Sequence, residues 1–259
     1  MSRFGILNTL YIAGFALIGQ MVLSGYTTYF ALIFLVLSYL LILTFGVFRV
    51  GFEFFMEIEN SGDTRYNEIA ISFDDGPHPE ITQKVLEKLN RFGVKAAFFC
   101  IGKNAEAQRE IVKEIHDSGH IIGNHSYQHT NDFPIFSSSK IKNDLEKCSK
   151  IITDITGIKP RFFRPPFGIT NPRIAKAVKA LDLTVVGWSL RTFDTSKSPS
   201  KVIHKIKKNL TGGDLILLHD NHEGIIEILD FLIPFAEENG LKFVRPDELI
   251  KKEAYATQL

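Results

Sequence analysis

The sequence predicts an α/β domain on a parallel sheet covered by helices, behind a hydrophobic hairpin of two membrane-spanning helices. Three observations carry this. The chain has 259 residues with 30 basic and 29 acidic side chains, yet only Arg3 and Arg49 among them fall in the first fifty positions. From Glu68 onward, short apolar runs alternate with longer amphipathic stretches, the pattern of strand–helix units. Ionisable residues gather just beyond five of those runs, where parallel α/β folds place their reactive groups.

The hairpin comes first. Residues 4–48 carry no charge. One helix of that length would run roughly 68 Å, over twice the thickness of a bilayer's hydrocarbon core. The stretch Ser24-Gly25-Tyr26-Thr27-Thr28 divides it into spans near residues 4–23 and 29–48, so that residues 1–50 form a membrane anchor. The second span is the stronger; the first is diluted by Asn8, Thr9, Gly14, Gly19 and Gln20. A cleaved signal peptide is the rival reading of the first, but its apolar region is long and no A-x-A-like cleavage site follows. Arg3, Arg49 and the globular domain share one side of the hairpin, which by the positive-inside rule leans toward the cytoplasm. Residues 51–66 read as a connector with a candidate edge strand around 54–58. Its Phe52, Phe54 and Phe55 are expected at the membrane interface or in packing.

The globular part, residues 67–255, follows. Strand-like runs fall at 69–73, 95–101, 120–123, 161–163, 183–188, 214–219 and 241–244, with helical stretches at 79–91, 105–117, 138–156, 171–180, 199–209 and 224–238. Val85, Leu86 and Leu89, and likewise Ile141, Leu145, Cys148 and Ile152, keep a 3.6-residue period. Seven strands approach a barrel. A net charge of +1 provides no basic field for nucleic acid, and 45% hydrophobic residues exclude a disordered chain. Cys100 and Cys148 are too few for a disulfide framework and fall at core positions.

The polar clusters suggest chemistry. His125 and His129, four apart, suit a single transition-metal ion, and Asp74 or Asp75 could supply a third ligand that leaves a coordination position open. Adjacent side chains point in different directions, so one carboxylate can hold a metal while the other faces substrate as a base. Arg164 could pair with that base, and His219 could act as an acid opposite it. Each residue alone also has a structural reading: a turn, a cap, a salt bridge or a satisfied core histidine.

Together these residues resemble a known family. Ser72-Phe73-Asp74-Asp75-Gly76, His125-Ser126-x-x-His129, Arg164-Pro165-Pro166-Phe167, Trp188…Asp194 and Leu217-x-His219 look like the five ordered motifs of polysaccharide deacetylases, the NodB-homology enzymes of carbohydrate esterase family 4. The resemblance implies an irregular (β/α)7 barrel of the NodB type. It implies metal-dependent hydrolysis of N-acetyl groups on amino sugars of a cell-wall or surface glycan. Asp75, His125 and His129 would bind a divalent metal, usually Zn²⁺, with other first-row ions possible. Asp74 would be the base, His219 the acid, Arg164 the partner of Asp74, and Asp194 would serve the Arg164 and His219 side. The backbone N–H of Phe167 would hold the oxyanion, and Trp188 and Leu217 would line the acetyl pocket.

Three motifs depart from the family pattern. Where the fourth motif often reads D-x-x-D-W, Arg191 replaces the first Asp and Thr195 the Trp, with Asp194 retained; Phe167 replaces a tyrosine, and Ser72 a threonine. The rivals are a catalytically silent sugar-binding protein on the same fold and a hydrolase of another amide or imide bond. Expected partners are an N-acetylated glycan and the lipid bilayer, with no nucleic acid and no inferable protein partner. The resemblance favours an extracytoplasmic domain, against the two arginines.

Overall fold

The computed structural model describes residues 2–256. Two apolar helices lead, α1 (Arg3–Leu23) and α2 (Phe30–Phe48), with mean hydropathies of 1.7 and 2.6 and lengths sufficient to cross a membrane. The polar groups that dilute α1 find partners on α2. Tyr39 Oη donates to Asn8 Oδ1 (2.8 Å), and Tyr11 Oη donates to Ser38 Oγ (3.0 Å). Such interhelical hydrogen bonds are how polar groups are accommodated in an apolar setting.

The edge strand expected around 54–58 does not form. Phe54, Phe55 and Ile58 are all buried, and Phe54 and Phe55 pack against Phe4 with ring centroids 5.8 and 5.0 Å away. A strand would turn alternate side chains outward, which this aromatic cluster at the foot of the hairpin does not permit. Backbone bonds tie the hairpin to the connector and to the domain: Phe4 N–H donates to Phe54 O (2.9 Å), and Thr170 N–H donates to Val47 O (3.1 Å).

The domain is a parallel sheet of β1 (Glu68–Asp74), β2 (Ala97–Cys100), β3 (Ile121–Asn124), β4 (Phe162–Phe163), β5 (Thr184–Val185), β6 (Leu190–Arg191) and β7 (Leu215–His219), with β8 (Lys242–Phe243) beside the start of β1. The order is β5-β4-β3-β2-β1-β7-β6. Its two edges, β5 and β6, come from neighbouring stretches of chain: β5 falls within the strand predicted over 183–188, whereas β6 lies just past it. The segment 184–191 begins against β4 and ends against β7, so it curls the sheet into the irregular barrel that the resemblance implies. The connector is stitched in beside it: Glu59 N–H donates to Val185 O, and Gly187 N–H donates to Glu59 O, each at 2.8 Å.

Helices α3 (Ile81–Phe92), α4 (Gly102–Ala107), α5 (Arg109–Asp117), α6 (Ser138–Thr156), α7 (Pro172–Ala180), α8 (Pro199–Asn209), α9 (Gly224–Glu238) and α10 (Pro246–Ile250) complete the fold. The helix expected over 105–117 is two, broken at Gln108. The halves have different tasks. The backbone at the start of α4 is bonded to the carbonyls of Ser126 and Tyr127, whereas α5 buries Ile111, Val112 and Ile115 in the core. Along β1 the period of two sends Ile69, Ile71 and Phe73 to the helix-covered core. Ser72 and Asp74 turn the other way, toward the barrel interior, and Asp74 ends the strand. Cys100 and Cys148 are free and buried.

Candidate active site

β1 delivers Asp74 and then breaks. Asp75 takes a left-handed φ of 74°, sparsely populated for a non-glycine residue, and the two carboxylates diverge. Asp74 Oδ1 accepts from Arg164 Nη1 at 2.8 Å. Asp75 Oδ1 lies 3.5 Å from His125 Nε2 and 3.4 Å from His129 Nε2.

The two histidines sit on the loop after β3. Asn124 anchors that loop, donating to Leu145 O and Ser149 Oγ (2.8 Å each) and accepting from Ser126 N–H (2.8 Å). Ser126 and His129 both have positive φ, so the H-x-x-x-H spacing is met by a tight loop rather than a helical turn. His125 Nδ1 bonds the carbonyl of Arg164 at 2.8 Å, which orients the ring and leaves Nε2 facing Asp75. The ligand atoms of Asp75, His125 and His129 lie within 4.8 Å of one another. Two imidazole nitrogens and one carboxylate oxygen, with the His125 ring fixed by a backbone carbonyl, fit a divalent first-row ion.

The electrostatics agree. Burial works to raise Asp75, but the hydrogen bond and charge of His125, with the charges of His129 and His219, hold it at about 2. Burial and then His125 push His129 down to about 4. His125 is raised despite its burial, because Asp74 and Asp75 both face it. A metal must displace that proton. Zinc binding near pH 6.5 is therefore expected to release a proton from His125, read as a buffer-dependent binding enthalpy in calorimetry; an enthalpy independent of buffer would contradict it.

Arg164 is fully buried inside the barrel. Besides Asp74 it donates to Ser72 Oγ (2.8 Å), Val186 O (3.1 Å) and Gly187 O (2.6 Å), and it stacks 4.0 Å from the Phe99 ring. Asp194, expected to serve both Arg164 and His219, stands on the His219 side, the guanidinium being taken up by the partners just named. Asp194 Oδ1 bonds His219 Nδ1 at 3.0 Å and accepts from Thr192 Oγ1 at 2.9 Å, while Oδ2 accepts from His219 N–H at 2.7 Å. A second imidazole, His222 Nε2, reaches Oδ2 at 3.1 Å. Burial opposes the charged form of His219, but the bond to Asp194 and the carboxylate charges around it raise its pKa. Protonated His219 thus predominates below its ordinary 6.5 and is lost as pH rises through the raised value. If His219 is the acid, kcat/KM falls on the alkaline side, and Asp194→Asn moves that limb to lower pH. A pH–rate profile checks this, and an unmoved limb would assign it to another group.

A cavity of about 450 Å³ opens onto this cluster, lined by Asp74, Asp75, His125, His129, Trp188 and Leu217, with Phe167, Arg191, His219 and His222 at its walls; Arg164 and Asp194 are bonded to the lining residues Asp74 and His219. A neighbouring cavity of about 420 Å³ meets it at Asp75, His129 and Asn221. Phe167 (φ 60°) is 42% exposed, its ring 4.7 Å from that of His129. Gly168 follows at φ 69°, where a Cβ would run into the Trp188 ring, so glycine is required twice over. All ten site residues named from the sequence therefore meet in one place. Sequence reading missed His222, Thr192 and Asn221. The only signal for His222 is its position three residues past His219.

Comparison with known proteins agrees with this geometry. The family profile described as polysaccharide deacetylase matches residues 61–186. A peptidoglycan-N-acetylglucosamine deacetylase of Bacillus cereus is 35% identical over 189 residues, covering 71% of this chain and 68% of the relative. One of Listeria monocytogenes is 34% identical, and there the alignment spans 70% of this chain but only 38% of the relative. A crystal structure of a peptidoglycan N-acetylglucosamine deacetylase with a bound benzamide superposes with a TM-score of 0.72 at 33% identity, covering 76% of this chain and 94% of that one. A family 4 acetyl xylan esterase from Clostridium thermocellum, solved with a cobalt ion, gives 0.65 at 32% identity, covering 71% and 90%. A family pseudoenzyme from Bacillus anthracis gives 0.69 at 26% identity, covering 74% and 68%.

Proposed function

The chain belongs to the polysaccharide deacetylase family, and on that premise we propose that it is a metal-dependent hydrolase removing N-acetyl groups from amino sugars of a poly- or oligosaccharide. One observation carries the reading. Three side chains that could hold a metal, Asp75, His125 and His129, line one cavity with Asp74, which is paired to a buried arginine, and with His219, which is paired to a buried aspartate.

Asp75, His125 and His129 would hold the ion, zinc or another first-row divalent metal. When bound, it supplies Lewis acidity that polarises the acetyl carbonyl and brings the pKa of water toward neutrality. The chain's own groups do the rest. Arg164 holds Oδ1 of Asp74, leaving Oδ2 on the histidine side to accept a proton from the attacking water. The left-handed turn at Phe167 presents its backbone N–H to the developing oxyanion. Trp188 and Leu217 form an apolar wall for the acetyl methyl. His219, held through Nδ1 by Asp194, turns Nε2 to the leaving nitrogen and gives it a proton. The amide C–N bond breaks, releasing acetate and the free amine. The two adjoining cavities set the reactive centre mid-cleft, which suits an internal residue of an oligomer.

For location, α1 and α2 serve as a two-span anchor, and the domain faces outward onto a cell-wall or surface glycan. Support comes from the length and apolarity of the helices and from relatives named for peptidoglycan. The Bacillus anthracis pseudoenzyme shows that a silent protein can occupy this fold; against that reading, this chain keeps the metal donors, Asp74 and His219.

The test is acetate release by the full chain, purified in detergent and loaded with zinc, on N-acetylglucosamine oligomers and peptidoglycan. His125→Ala is expected to abolish both zinc retention and acetate release. A folded, zinc-loaded protein that releases no acetate from any of these would sink the reading; one that binds no metal would favour the silent fold.

A further inference from the structure

The rim of the cavity carries charge that hydrolysis does not use. Arg191, at the end of β6, lines the cavity near Thr195 and His222. Its guanidinium lies 5.5 Å from the Trp188 ring and 4.8 Å from the Phe193 ring. The Phe193 ring also receives Lys197 at 4.9 Å and Lys205 at 4.3 Å. Three cations converge on one aromatic ring, which is 36% exposed and set in a left-handed turn (φ 63°).

Among the described residues, none of the three forms an ion pair with a carboxylate. The nearest in sequence, Asp194, spends both oxygens on His219, His222 and Thr192. The cavity's own carboxylates are also committed, Asp74 to Arg164 and Asp75 to the histidines. An aromatic face attracts each cation but neutralises none, so the three repel. Lys205 shows it: partial burial, then Lys197 and Arg191, lower its pKa. An uncompensated positive field at a cavity mouth concentrates anions. Arg191 also presents a planar fork, matched to paired oxygens of a carboxylate or phosphate, and it is braced on the Trp188 ring that walls the reactive centre. A neutral homopolymer would leave this cluster without a counter-charge.

Resting on the deacetylase reading, we infer that the substrate carries an anionic substituent, carboxylate or phosphate, close to the acetamido group that is cut, and that Arg191, with Lys205 and Lys197, receives it.

The test uses the full chain in detergent, zinc-loaded, with four probes. They are the neutral N-acetylglucosamine dimer, the disaccharide of N-acetylglucosamine and N-acetylmuramic acid, the methyl ester of that disaccharide, and the N-acetylglucosamine dimer as its 1-phosphate. Calorimetry gives Kd, and acetate release is read alongside. At least one anionic probe is expected to bind about tenfold more tightly than the neutral dimer, less so at high salt. That ratio should fall toward one in Arg191→Met combined with Lys205→Gln and recover in part with Arg191→Lys. The acid and phosphate arms distinguish the two sources of charge, and the methyl ester should behave as neutral. A wild-type ratio near one, or a ratio untouched by the double substitution, overturns the inference. If no probe yields acetate while the charge-dependent ratio persists, the anion site stands and the deacetylase reading falls. Acetate release with a ratio of one gives the reverse.

Discussion

Asp74→Asn is expected to cut acetate release by roughly a hundred- to ten-thousand-fold, the range a positioned general base supplies, while zinc remains bound. The substitution keeps the size of the side chain and an oxygen for Arg164, and it leaves Asp75, His125 and His129 untouched. What it removes is the ability of Oδ2 to take a proton. Metal content by mass spectrometry and kcat with a soluble oligomer separate the two effects. Zinc lost together with activity would mean that Asp74, 3.8 Å from His125 Nε2, belongs to the ligand set. Activity retained with zinc in place would move the base to another group.

Arg164→Met should have the largest effect on stability. Its side chain is wholly buried, and its removal strands the buried carboxylate of Asp74 and leaves the carbonyls of Val186 and Gly187 without their donors. Breaking one side of a buried ion pair costs about 3–5 kcal/mol, a large share of the roughly 5–15 kcal/mol that holds a typical domain together. A fall of many degrees in Tm is expected, with activity lost even below the new midpoint. Arg164→Lys should not restore it, because one ammonium cannot reproduce a fork that serves a carboxylate and two carbonyls in different directions. A melting temperature within a degree or two of wild type would show that water reaches Asp74 and replaces the guanidinium.

Much of this was legible in one dimension. Alternation of apolar runs with amphipathic stretches located the sheet and most of its helices, because strands buried on both faces and helices buried on one leave different local periods. The motif residues were legible because they gather at or beyond strand ends: Asp74 ends β1, His125 follows β3, Arg164 follows β4 and His219 ends β7. What stayed hidden depends on contacts distant in sequence. The stretch 183–188 has the composition of one strand, and nothing in it says that pairing with β4 stops at Val185 and that a second short strand, Leu190–Arg191, then joins β7 at the far edge. Gln108 breaks a continuous helical pattern because α4 is bound to the histidine loop. His222 and Thr192 acquire meaning only through Asp194, and the side of Arg164 on which Asp194 falls is likewise set by packing. The strand expected at 54–58 failed because its phenylalanines cluster rather than alternate.

The bonds from Phe4 to Phe54 and from Thr170 to Val47 have a mechanical meaning. Thr170 lies three residues past Phe167, so the loop that walls the cavity is bolted to the end of α2. Were α1 and α2 to lie in a bilayer, as proposed, the domain would be a head on a short stalk, not a float on a leash. A leashed enzyme searches a volume set by its linker. This one would hold its cleft at a fixed height and tilt above the lipid, and would process only glycan that passes through that shallow layer.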